Sequence, residues 1–242
     1  MNSNLKDDET LRVLASGEMA LSGRFMWGSN YTFLVGVTQE GIEIPAVYKP
    51  SHGERPLWDF DEGTLSAREV AAYITSHALG WDLVPPTVLR TDGLAGPGSV
   101  QLYVDADPER HYFTFSEDEK QRLRPVALFD CLINNADRKG GHVLLDPDGH
   151  LWLIDHGLCF HVEDKLRTVI WDFADEPIPE ALLQDLNRLQ TRLRTDAELV
   201  AEYRALLSRE EIEALSSRAM RLLASGQFPT PDTPRPYPWP LV

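Results

Sequence analysis

An α+β fold in two parts is expected from the sequence, a β-rich N-terminal lobe with one helix followed by a mainly helical C-terminal lobe. Three observations support it. Runs rich in aromatic and β-branched residues, separated by turn signals, fill the first hundred positions. Only LSAREVAAYITSHALG among them has helical spacing, and amphipathic helical patterns dominate after Pro108.

Taken in order, EMALSGRFMWGSNYTFLVGV at 18–37 reads as two strands joined by a Gly-Ser-Asn turn. IEIPAVYKP at 42–50 alternates apolar and polar residues and forms a third strand that stops at Pro50. SHGERPLWDFDEG is polar, with Gly and Pro, and suits a mobile connection. The helix that follows is capped by Thr64 or Ser66, carries Val70, Ala71, Ile74, Ala78 and Leu79 on one face, and ends at Gly80. VPPTVLRTDG and SVQLYVDAD supply two more strands.

In the second part, SEDEKQRLRPVALFDCLINN has a capping-box pattern at Ser116 and Glu119, and Pro125 either kinks this helix or marks its true start. HVLL and HLWLID are short apolar runs separated by DPDG. PEALLQDLNRLQTRL, TDAELVAEYRALL and SREEIEALSSRAMRLLASG are amphipathic helices. The expected organisation is one domain over 1–226, with lobes at about 12–107 and 108–226, and a Pro-rich extended tail over 227–242.

Composition narrows the function classes. The 38 acidic against 23 basic residues give a formal charge of −15, which opposes sequence-independent nucleic-acid binding and stable association with anionic membranes. No apolar run reaches the length of a membrane span, and MNSNLKDDET lacks the basic and apolar pattern of a secretory leader. Cys131 and Cys159 both lie in apolar runs and read as core thiols. A cytoplasmic location follows as the expectation.

Chemistry concentrates in LINNADRKGGHVLLDPDGHLWLIDHGLCF at 132–160. With Asp148-Gly149 as a two-residue hairpin turn, residue 147 faces 150 and His142 faces Asp155 at a Cα separation of roughly 4.5 to 5.5 Å. Two side chains at the open end of a hairpin are placed to grip one metal ion. Asp137 stands five residues earlier, before a turn that Gly140 and Gly141 permit. A carboxylate beside a metal-binding pair is the arrangement phosphoryl transfer uses.

ADRKGGH and IDHGLCF resemble the catalytic-loop and metal motifs of the kinase-like superfamily, in its phosphatidylinositol 3-/4-kinase branch and nearest the type II phosphatidylinositol 4-kinases. The resemblance implies a two-lobed protein-kinase-like fold. It gives Asp137 the catalytic position, Arg138 a supporting one and Asp155 the main metal-binding one. His142 stands where that family has Asn, which makes it the second metal residue and leaves metal preference open.

MWGSNYTFLV resembles the phosphate-covering hairpin, so Gly28, Ser29 and Asn30 are expected beside the nucleotide. Lys49 matches the strand lysine that holds the α- and β-phosphates. Glu69 resembles the helix glutamate that pairs with it, with Glu62 as a substitute. Gln101, Leu102, Tyr103 and Val104 match the linker that receives adenine.

The implied activity is transfer of the ATP γ-phosphoryl group, with Mg²⁺ or Mn²⁺, to a hydroxyl of a soluble protein or a small molecule. A lipid acceptor follows from the nearest resemblance, but a polybasic or amphipathic membrane segment is missing from the sequence. A nucleotide-binding regulator without transfer and a transferase moving AMP are the competing classes. His142, His156 and His161 lack a zinc spacing, which disfavours a metallohydrolase.

Overall fold

A computed structural model describes residues 3–24, 31–232 and 234–242. The expected hairpin contacts of Gly28, Ser29 and Asn30 lie outside the described residues.

Strands β1 (Glu18–Arg24), β2 (Phe33–Gln39), β3 (Ile42–Pro50), β4 (Thr87–Arg90) and β5 (Gly98–Leu102) form an antiparallel sheet in the order β1-β2-β3-β5-β4. Glu40 and Gly41 both take positive φ, 52° and 82°, as the two-residue turn between β2 and β3 requires. One sheet face buries Val35, Val37, Ala46, Tyr48 and Val100.

Helix α1 (Ser3–Ser16) covers that face with Val13 and Leu14, so the N-terminal half contains a helix beyond the one read from sequence. Its charged stretch DDET masks the pattern, and a tertiary contact completes its end. Arg90 Nη1 donates to the Gly17 carbonyl at 2.7 Å, placing a buried cation at the helix C-terminus.

Helix α2 (Leu65–Leu79) starts at Thr64, whose side chain does not cap it. The Glu54 carboxylate does so instead, accepting from the N–H groups of Ser66 at 3.0 Å and Leu65 at 3.3 Å. Ala71, Ala72, Tyr73 and Leu79 of α2 join the core of the helical half rather than the sheet core. Arg68 fastens the helix further, donating to the Cys159 carbonyl at 2.6 Å and pairing with Glu211.

The helical half contains α3 (Glu117–Gln121), α4 (Arg124–Ile133), α5 (Glu180–Thr195), α6 (Ala197–Arg204) and α7 (Arg209–Ser225). Ser116 and Glu119 form the expected capping box, and Pro125 lies in the first turn of α4, so it marks a helix start rather than a kink. Between α4 and α5 lies the hairpin β6 (Val143–Leu145) and β7 (Leu151–Leu153).

Two further expectations need correction. The hairpin register is one residue away from the two-residue-turn reading, because Val143 faces Leu153 and Leu145 faces Leu151. Asp146 donates its N–H to the His150 carbonyl, and Gly149 at φ 81° closes a three-residue loop. His142 thus stands opposite Ile154, whose N–H it accepts at 3.1 Å.

The 51–63 connection is braced rather than loose. Lys165 bonds Asp59 at 3.1 Å and lies 5.1 Å from the Trp58 ring centre, while Phe60 packs edge-on to His161 and under Arg68. These contacts tie it to the segment that follows the hairpin.

The described residues beyond Gln227 have no regular structure, and several of them contact the helical half. Phe228 is buried against Phe173. The Pro236 carbonyl accepts from Thr168 N–H and Trp171 Nε1, each at 3.1 Å, and the Leu241 carbonyl accepts from Gly140 N–H at 2.7 Å.

Candidate functional site

β3 carries Lys49 on an inner strand, α2 carries Glu69 one turn past its capped start, and Asp155 stands two residues after the end of β7. Lys49 Nζ pairs with Glu69 Oε1 and donates to Asp155 Oδ1 at 3.1 Å, so three elements meet at one ammonium group. Glu69, not Glu62, is the partner of Lys49. Glu62 instead lines, with Ser51, His52, Glu54, Arg55 and Phe60, a cavity of about 500 Å³ beneath the 51–63 connection.

Burial works against the Lys49 cation, but Asp155 and Glu69 outweigh it and hold its pKa above the ordinary lysine value. Asp155 responds in the opposite sense. The Lys49 charge holds its carboxyl well below the usual range, despite burial acting the other way. Its backbone has φ 64°, a left-handed conformation that costs a non-glycine residue energy and recurs at functional sites.

His142 Nε2 lies 3.3 Å from Asp155 Oδ2. The meeting survives the register shift because Asp155 turns back through its positive φ, one residue beyond the position facing His142. Burial lowers His142 to about 4, with Asp155 offsetting part of the effect, so the ring is neutral at pH 7. Its Nδ1 accepts a long bond from Lys139 N–H at 3.4 Å, which puts the proton on Nε2, facing Asp155. In this tautomer His142 Nε2–H faces the Asp155 carboxylate.

Asp137 follows α4 on a loop held by Asn135, whose side-chain oxygen accepts Asp137 N–H at 2.9 Å. Burial raises the Asp137 pKa, Lys139 opposes that, and the Asp155 charge adds to it. Lys139 Nζ bonds Asp137 Oδ2 at 2.6 Å. A cation two residues after the acid was passed over in the sequence, although DRK stands in plain sight.

Arg138 is wholly buried and binds both oxygens of Asp130, at 3.0 and 3.1 Å. Its Nη1 donates to the carbonyls of Ile154 at 2.9 Å and His142 at 3.3 Å, tying the loop to the hairpin's open end. Asp130 was missed too. An acid inside the apolar run VALFDCLI is the signal, because a carboxylate there needs a buried partner.

The linker expectation narrows. Gln101 is buried and donates to Thr87 Oγ1, while the N–H groups of Leu102 and Tyr103 are taken by the Pro86 and Pro45 carbonyls. Among the described residues, the N–H of Val104 carries no hydrogen bond, which leaves it as the free donor of the four.

Among the described residues, groups of three or more His, Cys, Asp or Glu side chains arranged to hold a metal are absent. A half-exposed carboxylate at Asp155 fits a hard divalent ion that keeps most of its waters. No helix among the described residues is long and apolar enough to cross a membrane.

No family model matches the chain. Among solved structures, the Golgi casein kinase with Mn/ADP bound aligns with TM-score 0.59 and 15% identity over 96% of this chain and 81% of that one. The Helicobacter pylori proinflammatory kinase CtkA aligns with TM-score 0.55 and 12% identity over 89% and 94%. These likenesses make the fold protein-kinase-like.

The rice (Oryza sativa subsp. japonica) phosphatidylinositol 4-kinase gamma 4 is 35% identical over 137 residues, 48% of this chain and 24% of that protein. Protein Rv2133c of Mycobacterium tuberculosis is 42% identical over 271 aligned positions, spanning 98% of this chain and 96% of that one. With identity of that extent along nearly the full length of both proteins, the chain belongs to the family of Protein Rv2133c.

Proposed function

We propose that the protein is an ATP-dependent phosphotransferase that moves the γ-phosphoryl group to a hydroxyl of a soluble protein or a small molecule. The observation that carries this reading is Lys49 bonded at once to Glu69 and Asp155. A strand lysine oriented by a helix carboxylate beside a second acid is the phosphate-gripping arrangement of kinases.

Lys49 holds the α- and β-phosphates, and Glu69 keeps its ammonium in place. A divalent ion on Asp155 would neutralise charge on the phosphates. Asp137 accepts the acceptor's hydroxyl proton as the oxygen bonds to the γ-phosphorus and the bond to the β-phosphate oxygen breaks, releasing ADP. Burial raises Asp137 while Lys49 lowers Asp155, which separates a proton acceptor from a permanently ionised carboxylate. Lys139, at 2.6 Å from Asp137, is placed to meet the transferred group's charge.

The motifs ADRKGGH and IDHGLCF support a finer placement near the type II phosphatidylinositol 4-kinases, and the rice relative is named a phosphatidylinositol 4-kinase. The net charge of −15 favours a soluble acceptor and a cytoplasmic setting over an anionic lipid surface. We read 1–226 as one domain, lobes at about 12–107 and 108–226, with 227–242 as an appended segment.

Thermal-shift titration with ATP, with Mg²⁺, Mn²⁺ or no metal, tests the reading in the natural chain and Asp155→Ala. A metal-dependent shift lost in the variant is expected, and no shift under any condition refutes it. His142 in the family's Asn position favours a second reading, a nucleotide-binding regulator without transfer. Binding without metal-dependent ATP consumption across protein, metabolite and phosphatidylinositol acceptors would select that one.

A further inference from the structure

His156 lies between Asp155 and Gly157, and its ring is completely buried, edge-on to Phe129 at 6.0 Å between centres. An imidazole in such a place needs partners for both nitrogens. Nε2 lies 2.8 Å from Arg138 Nη2. Arginine only donates, so Nε2 accepts and the ring proton sits on Nδ1. That Nδ1 has no hydrogen-bond partner among the described residues, and Glu69 Oε2 lies 3.9 Å away, beyond bonding distance.

The backbone of the same residue reaches Glu69 directly, since His156 N–H donates to Glu69 Oε2 at 3.0 Å. The other Glu69 oxygen holds Lys49. On the far side, the Nε and Nη1 donors of Arg138 go to Asp130 and to the His142 and Ile154 carbonyls. His156 therefore adds a buried link between two groups that Asp155 already joins through Lys49 and His142. One is Lys49 with α2, and the other is the loop that carries Asp137.

We propose that His156 is a positioning residue, a neutral Nδ1-protonated imidazole whose Nε2 completes Arg138 of the Asp137 loop from a backbone position fixed by its N–H on Glu69 of α2. Packing alone does not account for it. A phenylalanine would fill the same space against Phe129 without leaving a buried donor unpaired, and only an acceptor completes the Arg138 guanidinium. The consequence for turnover rests on the phosphotransferase reading, while the tautomer and its bond to Arg138 do not.

Long-range proton–nitrogen correlation spectra of the full chain, with His156 assigned by comparison with His156→Gln, read the tautomer directly at neutral pH. Nδ1 protonated and Nε2 bare is the expected result. An Nε2-protonated or doubly protonated ring overturns the proposal, whether or not the protein consumes ATP.

The second arm compares His156→Phe with His156→Gln, whose amide oxygen restores an acceptor near the Nε2 position. His156→Phe is expected to lower kcat roughly ten- to a hundredfold, the loss of one hydrogen bond to a charged group, with KM for ATP changed by less than about twofold. His156→Gln recovers most of that loss. A folded His156→Phe protein with natural kcat overturns the proposal. A natural chain that shows no ATP binding overturns the phosphotransferase reading instead, and the spectra alone then decide His156.

Discussion

Replacing Asp130 with alanine removes the partner of a wholly buried cation. The carboxylate accepts both Arg138 Nε contacts, Asn135 Nδ2 at 3.1 Å and Thr168 Oγ1 at 3.2 Å, so the variant strands three donors in a site without solvent access. Breaking a buried pair from one side costs about 3–5 kcal/mol, far more than an exposed pair is worth. For a chain of 242 residues, each kcal/mol moves Tm by about 2–4 °C, so the expected drop is about 6–20 °C.

Urea denaturation followed by circular dichroism measures the free-energy change, provided the m-value stays constant. The double variant Asp130→Leu/Arg138→Met should be more stable than Asp130→Ala, since apolar groups of similar volume remove the stranded charge. A loss below about 1 kcal/mol in Asp130→Ala would refute the reasoning, because it would mean that Arg138 finds water or another anion when its partner is gone.

Lys49→Met should abolish the ATP-induced thermal shift and lower any turnover by roughly 10²-fold or more, checked by titration and by ADP release. The metal-free protein should lose stability as pH falls from 6.5 to about 4. In that window the unfolded His142 binds a proton that the folded ring refuses, a difference of up to roughly 3 kcal/mol. His142→Asn should make that part of the stability–pH curve shallower, with His156, whose pKa burial also lowers, supplying the rest, and an unchanged slope would remove His142 as a source. Deleting 236–242 removes the Pro236 and Leu241 carbonyls from Thr168, Trp171 and Gly140, and should cost about 1–3 kcal/mol by calorimetry, with water replacing part of the loss.

Local signals were legible wherever neighbours along the chain make the interaction. The alternation of IEIPAVYKP, the Ser116–Glu119 box, Pro125 at the start of α4 and Gly80 at the end of α2 each act within a turn or a strand. Asp137, His142 and Asp155 were also within reach, because a short hairpin brings its ends together whatever its exact loop. The loop itself was not legible. DPDG allows two or three turn residues, and one residue of register changes every facing pair.

Other features depended on partners distant in sequence. Residue type and spacing alone mark the β-rich first half, the helical second half and the cluster of acids, cations and glycines at 137–155. Packing between distant elements sets the rest: Glu69 rather than Glu62 meets Lys49, Arg90 ends α1, Glu54 caps α2 and the Pro-rich segment reaches Gly140. It also decided that Asp130, Arg138 and His156 are buried together. A charged side chain has the same sequence signature on the surface and in the core. Its partner, set by the packing of distant elements, is what fixes its role.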